Sequence, residues 1–266
     1  MLKIFRIVPD YFIKVILKHS IFILKFSVMN KKFFFTGIRI FINFLSFMVF
    51  YNLILRKKYL NERNDFINFM EKELKYSDDW FTNNIHIWCH IFEKENLKDK
   101  KLNILEIGSY EGISAVFFLR YLKESQIDCV ETFQGSDEHL QKDFDKVFSN
   151  FNFNLEKFDK RYKIHKTLSN TYFNKLKNDN KDSPKKFDII YIDGSHEYED
   201  VLNDAHNSFE FLNENGIIIF DDFLRSYYSD INKNPIKAII EFLKTYKYQI
   251  SIKLINYQLI IKKNSK

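Results

Sequence analysis

Four ionisable side chains stand directly after two hydrophobic runs in the second half of the chain. Asp193 and His196 follow the first run, and Asp221 and Asp222 follow the second. If the two runs are neighbouring strands, three carboxylates converge, and protons or a cation must offset their repulsion. Carboxylate oxygens are ligands that Mg²⁺ accepts together with water and substrate oxygens. Asp193, Asp221 and Asp222 are therefore candidate metal ligands.

The histidine in this group could move a proton. An imidazole with an unperturbed pKa of about 6.5 is a reasonable acceptor for a hydroxyl proton. The alternative is that His196 caps a helix that begins near Tyr198. We favour the catalytic interpretation, because acid/base groups beside a candidate metal are enriched at functional sites. His196 and Asp193 are thus the predicted catalytic residues.

A second group of residues suits a small cationic ligand. The segment Glu106-Ile107-Gly108-Ser109-Tyr110-Glu111-Gly112 joins a predicted strand to a predicted helix. Its two glycines permit a tight turn and a close approach to a ligand. The three-glycine spacing of a dinucleotide-binding loop is absent, and a carboxylate at Glu106 would repel a phosphate. About 20 residues after Gly112, Glu131 stands where nucleotide-binding folds place an acceptor for ribose hydroxyls.

The elements that must position these residues alternate along the chain. Alternating strands and helices predict an α/β, Rossmann-like, doubly wound and mostly parallel sheet, closed by a C-terminal antiparallel hairpin. Ligands of such sheets bind beyond the C-terminal ends of the strands, where the residues above lie. The predicted strands are 103–107, 127–131, 162–165, 187–192, 216–220, 248–254 and 257–262, and the predicted helices are 113–122, 198–212 and one that begins at Pro235.

With these motifs, the region from about 102 to 262 resembles the class I S-adenosylmethionine (SAM) dependent methyltransferases. The segment from Ile104 to Phe118 is similar to their first motif, E-x-G-x-x-x-G. The resemblance implies that the methionine end of SAM is lined by Glu106, Gly108, Ser109, Tyr110 and Gly112. It also implies that Glu131 holds the ribose, that Thr132 lies beside the adenine, and that Ser169 contacts the adenine edge.

The acidic groups resemble those of metal-dependent O-methyltransferases of the catechol and macrocin types. The matching metal ligands are Asp193, Asp221 and Asp222. This chain departs from the catechol type at Asp222, where that type has Asn, and at His196, where it has a Lys base. The resemblance implies Mg²⁺-assisted methylation of a small hydroxyl-bearing acceptor, a sugar or another metabolite. A loop similar to residues 134–139 occurs in a bacterial subgroup, and we assign it no role.

Charge and hydropathy divide the chain into three regions. Residues 1–60 hold eleven Lys or Arg and one acid, a net charge of +10, which leaves −4 for the remainder. The acidic remainder argues against a nucleic-acid substrate, and the basic segment is suited to an anionic membrane surface. Within it, residues 40–55 are uncharged and nearly all apolar, so membrane spanning, interfacial attachment and packing on the protein stay open. A helical preface (61–101) and the SAM-binding domain (102–263) follow.

Two other function classes are weighed against the methyltransferase. One is a nucleotide-dependent oxidoreductase on a similar sheet, and the other is a non-catalytic, membrane-tethered SAM-binding protein. We expect a cytoplasmic protein, with attachment to the inner face of a membrane left open. Cys89 and Cys129 lack metal-type spacing and are predicted to be buried thiols. The sequence predicts neither the acceptor nor the oligomeric state.

Overall fold

A computed structural model describes residues 10–135, 143–158, 160–179 and 185–265, with side chains from residue 13 onward. Its first half is helical, and the five helices there precede the first strand. A π-helical turn joins the second helix to the third, so that they form one continuous helical stretch, 31–58. The helices are α1 (Asp10–Met29), α2 (Phe34–Ser46), α3 (Asn52–Lys58), α4 (Leu60–Glu73) and α5 (Ile85–Lys94).

A seven-stranded sheet forms the second half, in the order β3-β2-β1-β4-β5-β7-β6. The first five strands are parallel, and β7 runs antiparallel to both β5 and β6. The strands are β1 (Asn103–Ile107), β2 (Gln126–Glu131), β3 (Tyr162–Lys166), β4 (Phe187–Ile192), β5 (Leu212–Phe220), β6 (Ile250–Ile255) and β7 (Leu259–Lys263). The helices are α6 (Ile113–Tyr121), α7 (Phe144–Leu155), α8 (Ser169–Asp179), α9 (Tyr198–Phe211) and α10 (Pro235–Thr245).

The predicted fold class is confirmed, including the parallel sheet and the closing hairpin. Central strands such as β4 and the second half of β5 are nearly continuous apolar runs because helices cover both of their faces. Helices α7 and α8 were not predicted, since their many Asn and Lys residues weaken the helical hydrophobic pattern. Both cysteines are buried and unpaired, as expected.

The preface packs on the sheet through an aromatic core centred on Trp88. The Trp88 ring lies 4.6 Å from the Phe118 ring of α6 and 4.8 Å from the Tyr191 ring of β4, measured between centroids. All three side chains are essentially inaccessible to solvent. Helix α5 is therefore part of the same core as the sheet, and its position relative to the strand ends is fixed.

The N-terminal helices also pack on the domain. The His19 ring of α1 lies 5.3 Å from the Tyr257 ring of the hairpin, and Lys244 Nζ donates to the carbonyl oxygen of Lys32 at 2.7 Å. The stretch 31–58 is long and apolar enough to cross a membrane, yet about a third of its most apolar part is buried inside the protein. The buried side chains of this region include Ile23, Phe26, Phe33, Ile40, Phe44, Phe47 and Leu55.

Candidate active site

Backbone hydrogen bonds hold the ends of four strands in one row. Gly108 N donates to Val130 O at 2.9 Å, Asp193 N donates to Ile107 O at 2.8 Å, and Asp221 N donates to Ile192 O at 2.9 Å. The residues after β1, β4 and β5 therefore share one edge with the end of β2. This edge is the C-terminal one, where ligands of doubly wound sheets bind.

The loop after β1 requires glycine at two positions. Gly108 has a φ of +85° and Gly112 a φ of +77°, a region that favours glycine. A Cβ atom on Gly108 would overlap the carbonyl group of Asp193, so glycine lets the loops after β1 and β4 come together. Tyr110, between them, has a φ of +45°, which is unusual for a residue with a side chain. The loop is thus a compact turn directly before α6.

Glu106, which was predicted to line the methionine end of SAM, lies behind the loop after β1. Its carboxylate is fully buried and accepts a hydrogen bond from Ser114 Oγ at the start of α6. Burial, together with the charge of Glu131, raises the pKa of Glu106 to about 7. Among the described residues that line the cavity below, Glu106, Ser109 and Gly112 are absent. The Glu106 side chain, on the next-to-last residue of β1, faces α6, and it supports the loop from behind.

Glu131 lies at the cavity wall. Its Oε2 accepts from Tyr110 N at 2.9 Å and its Oε1 accepts from Phe133 N at 3.0 Å. Two backbone donors therefore fix the carboxylate at the end of β2; Thr132 Oγ1 makes a longer bond to Oε1, at 3.4 Å, and Oε2 keeps a further lone pair. Gly108, Tyr110 and Thr132 line the same wall. This is a suitable arrangement for accepting both hydroxyls of a ribose.

The predicted adenine-edge residue, Ser169, is the first residue of α8 and also lines the cavity. A carboxylate that was not predicted from sequence lies beside it. Asp204 of α9 is 3% exposed, and burial raises its pKa to about 7, against a hydrogen bond from Ser169. Residues 136–139 of the loop 134–139 lie outside the described residues.

The three carboxylates at the rim after β4 and β5 cannot all be ionised together without a compensating proton or cation. Burial, followed by the charges of Asp221 and Asp222, raises the pKa of Asp193 well above its ordinary value. Burial and the charge of Asp222 raise the pKa of Asp221 to about 6. Asp193 and Asp221 lie within hydrogen-bond contact of each other. Such a contact needs a proton between the two carboxylates, or a cation in its place.

Asp222 is the carboxylate that stays ionised. Burial alone would raise its pKa, but hydrogen bonds from His196 and Tyr257 and the charge of Arg225 hold the pKa of Asp222 below its ordinary value. His196 Nε2 lies 2.6 Å from Asp222 Oδ2, and Arg225 Nη1 donates to the same oxygen at 3.2 Å. Helix α9 has Glu197 at its N-cap position, and the His196 ring turns to Asp222. The helix-capping alternative is therefore not what the structure shows.

The groups that could ligate a metal differ in one member from the predicted set. Asp193, His196 and Asp222 each offer one ligand atom, and these atoms lie within 4.8 Å of one another. Asp221 stands beside them, and its Oδ1 accepts from Gln258 Nε2 at 2.6 Å. Gln258 Oε1 in turn accepts from Trp88 Nε1 at 2.9 Å. A hard-oxygen set with one imidazole fits a divalent cation.

One continuous cavity of about 1600 Å³ joins the two parts of the site. It extends from Glu131 at the end of β2 past Asp193 and Asp222 to the N-terminal helices. A single small-molecule pocket usually has a volume of about 300–1,000 Å³, so this cavity has room for a cofactor and an acceptor. Its N-terminal wall consists of Lys14, Val15, Lys18, His19, Phe44, Met48, Asn52, Leu53 and Arg56. That these N-terminal residues form part of the site was not predicted from their sequence.

This chain is similar in sequence to a methyltransferase domain and to one viral protein. Residues 105–223 match a family described as a methyltransferase domain. An uncharacterised protein of Acanthamoeba polyphaga mimivirus is 26% identical over 182 residues, which cover 66% of this chain and 78% of that protein. The family match over residues 105–223 contains the glycine loop, Glu131 and the whole acidic rim.

Solved structures share the fold at low sequence identity. An O-methyltransferase from Bacillus cereus, solved with S-adenosylhomocysteine (SAH), superimposes with a TM-score of 0.51 at 16% identity, covering 84% of this chain and 97% of that one. TomG, an O-methyltransferase from Streptomyces achromogenes solved with SAM, gives 0.50 at 10% identity over 77% and 89%. MycE, a methyltransferase of mycinamycin biosynthesis solved with Mg, SAH and mycinamycin VI, gives 0.53 at 12% identity over 75% and 54%.

The match over residues 105–223 gives this chain a methyltransferase domain, on the fold of the SAH-bound and SAM-bound methyltransferases above. The helical preface and the N-terminal helices complete the cavity around that domain. The oxidoreductase alternative is thereby set aside, in agreement with the absence of a third glycine after β1.

Proposed function

We propose that this enzyme methylates a hydroxyl oxygen of a small acceptor, with assistance from a divalent metal ion. The observation that carries the proposal is the cluster of two carboxylates, Asp193 and Asp222, that could hold a metal and one imidazole, His196, that could take a proton, with one polar atom of each within 4.8 Å of the others in the cavity that Glu131 also lines. A magnesium-bound methyltransferase of similar fold supports the metal. The acceptor class, a sugar or another small metabolite, rests on the resemblance to O-methyltransferases.

Bound SAM would supply a methyl group on a sulfonium, and a bound Mg²⁺ would supply a Lewis acid that lowers the pKa of an acceptor hydroxyl. On the side of the protein, Glu131 accepts from the ribose hydroxyls, and Gly108 gives the backbone room for the methionine end. Thr132 and Ser169 lie where the adenine edge is expected. Catalysis then depends mainly on orientation, because a methyl transfer needs donor and acceptor atoms in line.

The residues of the rim have two proposed roles, metal binding and proton transfer. Asp193 and Asp222 would hold the metal, with Asp221 beside them. His196 would accept the hydroxyl proton, since Asp222 fixes its ring and stabilises the imidazolium that forms. Asp222 is kept ionised by Arg225 and Tyr257, so it can serve both purposes.

The test is a screen of acceptors with methyl-labelled SAM. Purified protein is incubated with Mg²⁺ and with panels of sugars, sugar phosphates, sugar acids and catechols, and SAH and labelled product are measured. We expect an O-methylated product whose formation stops with EDTA and returns with Mg²⁺ or Mn²⁺. A product methylated on nitrogen or carbon, or a rate that EDTA leaves unchanged, would contradict the proposal.

Metal binding can be measured apart from turnover by electron paramagnetic resonance of free Mn²⁺. We expect Asp193→Asn to weaken Mn²⁺ binding at least about tenfold, because it removes a charged ligand. The matched control is Asp200→Asn, an exposed carboxylate of α9 that lines the same cavity outside the ligand group. Equal loss of Mn²⁺ affinity in both variants would show that the carboxylates attract the cation through their general negative charge and do not form a specific site.

We further propose that the enzyme is cytoplasmic and rests on an anionic membrane surface through the outer face of α1–α3. That face exposes large apolar side chains among lysines, a composition suited to interfacial attachment. The inner face covers the cavity, which favours lying on a membrane over crossing it. The exposed apolar residues include Leu17, Ile21, Val28, Met29, Phe35, Ile42, Phe50 and Ile54.

Vesicle flotation tests this attachment. The protein is expected to float with vesicles that contain phosphatidylglycerol and less with pure phosphatidylcholine. Phe35→Asp should reduce flotation, because Phe35 is 86% exposed, whereas Tyr248→Asp, at 83% exposed on the other half of the chain, should not. Absence of flotation would contradict the attachment. A dimer in sedimentation that Phe35→Asp dissociates would show that this face binds a second copy of the chain and not a membrane.

A further inference from the structure

Helix α3 directs two hydrogen-bond donors at the N-terminal end of the cavity. Asn52 and Arg56 are one helical turn apart, and both line it. Asn52 is 2% exposed, and its Oδ1 lies 2.8 Å from His86 Nε2. Asn52 Nδ2 and Arg56 Nε are buried and have no hydrogen-bond partner among the described residues. A buried donor left unpaired costs about 1–3 kcal/mol, so this pair is suited to an acceptor from a ligand.

The charges around these donors are positive. Burial, and then the nearby charge of Arg63, lowers the pKa of Arg56 from its ordinary value, although an arginine stays protonated. Lys14 and Lys18, one turn apart on α1, line the same end of the cavity. Arg63 is not among the residues that line the cavity, and its Nε donates to Thr82 O at 3.3 Å, so Arg56, Lys14 and Lys18 are the cations that would attract an anion there.

The other ionisable groups of this end do not neutralise that charge. His19 and His86 are neutral at physiological pH, since burial and neighbouring cations lower their pKa values to about 4 and about 3. Asp79, which also lines the cavity, accepts from Thr82 N, Thr82 Oγ1 and Phe81 N, and its single negative charge is outweighed by the three cations Arg56, Lys14 and Lys18. The cavity is therefore basic at its N-terminal end and acidic at the strand ends.

We propose that Arg56 and Asn52, with Lys14 and Lys18 at the mouth, bind an oxyanion group carried by the methyl acceptor. A planar guanidinium matches the geometry of a carboxylate or a phosphate. The acceptor is then an anionic hydroxyl compound, whose charged end lies under α3 while its hydroxyl reaches the acidic rim. This inference rests on the proposed function only in attaching the oxyanion to the acceptor.

The experiment uses the full chain and two simple probes, inorganic phosphate and acetate. Thermal unfolding is followed against increasing probe at constant ionic strength, with chloride as the reference. We expect a saturable rise in Tm for wild type and a probe affinity at least about tenfold weaker in Arg56→Gln. Arg56→Lys should show an intermediate loss, because it keeps the charge and loses the planar donor. The matched control Arg39→Gln, an exposed arginine of α2 away from the cavity, should behave like wild type.

The two probes distinguish the sources of the oxyanion. A response to phosphate alone indicates a phosphate ester, and a response to acetate alone indicates a carboxylic acid. The shift caused by the probe is the readout, so a lower starting Tm of a variant does not obscure it. A wild type that responds no more to either probe than to chloride overturns the inference, and so does an Arg56→Gln variant that responds like wild type.

SAH binding on the same variants separates this inference from the proposed function. Arg56 belongs to α3, whereas Glu131 ends β2 and Gly108 follows β1, so Arg56→Gln should bind SAH with wild-type affinity. Loss of the anion response with SAH binding intact would remove only the anion site. Failure to bind SAH in a protein that still responds to phosphate would remove the proposed function instead.

Discussion

His196 Nε2 lies 2.6 Å from Asp222 Oδ2, which joins the loop after β4 to the loop after β5. Asp222 has a φ of +49°, a backbone conformation that costs free energy for a residue with a side chain. Tyr257 and Arg225 hold its carboxylate in place from the hairpin and from its own loop. Strain of this kind at a strand end indicates that the position of the carboxylate matters to function.

Replacement of His196 tests its role as a base. With the acceptor found in the screen, His196→Gln should lower kcat/KM by about 10²–10⁴, because an internal general base is lost. SAH affinity should stay within about twofold of wild type. His206→Gln serves as the control, since His206 pairs with Tyr246 away from the cavity. If raised Mg²⁺ restores the activity of His196→Gln, the histidine is a metal ligand and not the base.

The loop glycine is predicted to be irreplaceable. In Gly108→Ala, the new methyl group would overlap the Asp193 carbonyl at a φ of +85°, so the loops after β1 and β4 must separate. We expect a loss of about 1–3 kcal/mol in the free energy of unfolding and much weaker SAH binding. Gly194→Ala is the matched control, because its methyl group would meet first a side-chain methyl of Ile107, at 3.2 Å. Similar losses in both variants would contradict this account, which unfolding and titration curves can decide.

The buried carboxyl of Glu106 should make stability depend on pH. Its pKa is raised to about 7 in the folded chain, chiefly by burial, from 4.5. The folded state then binds the proton more tightly, so the stabilisation is complete below about pH 4.5 and is lost as pH rises through about 7. The difference between wild type and Glu106→Gln should change by about 3 kcal/mol over this range. Parallel curves of unfolding free energy against pH would refute a buried, protonated Glu106.

Gln258 connects the aromatic core to the rim. Gln258→Leu would leave Trp88 Nε1 and Asp221 Oδ1 without their partners, at a cost of about 1–3 kcal/mol each. We expect a lower Tm and weaker Mn²⁺ binding. Gln258→Glu can still accept from Trp88 but places another carboxylate beside Asp221, so it should be unstable without metal and partly rescued by Mn²⁺. A variant with unchanged Tm and metal affinity would show that the connection has no energetic role.

The parts of the site that lie in loops after strands could be predicted from sequence. Apolar runs predict β1 and β4, and the residues that follow them, Gly108 and Asp193, lie at the cavity. The predicted strand 103–107 already contains Glu106, but its bounds alone did not indicate that this side chain faces α6 and not the ligand edge. Gln258 gave no signal, because a glutamine within a hairpin has no recognisable spacing.

The position of the N-terminal helices could not be predicted for a different reason. An apolar stretch such as 40–55 suits lipid and protein interior equally, so composition alone does not distinguish them. The structure shows which face is buried: Ile40 and Phe44 pack inward, whereas Ile42 is exposed. Arg56 therefore becomes part of a cavity that the sequence assigned wholly to the C-terminal domain.

The most direct test of the central claim is calorimetric titration of the full chain with SAH, in wild type and in Glu131→Gln. The amide keeps the size of the side chain but offers one oxygen where the carboxylate offers two. We predict saturable binding of one SAH per chain, weakened about tenfold or more in Glu131→Gln, since a hydrogen bond to a charged group contributes about 1.5–3 kcal/mol. Absence of binding to wild type at roughly 1 mM SAH, or equal affinity in the two proteins, would contradict the account.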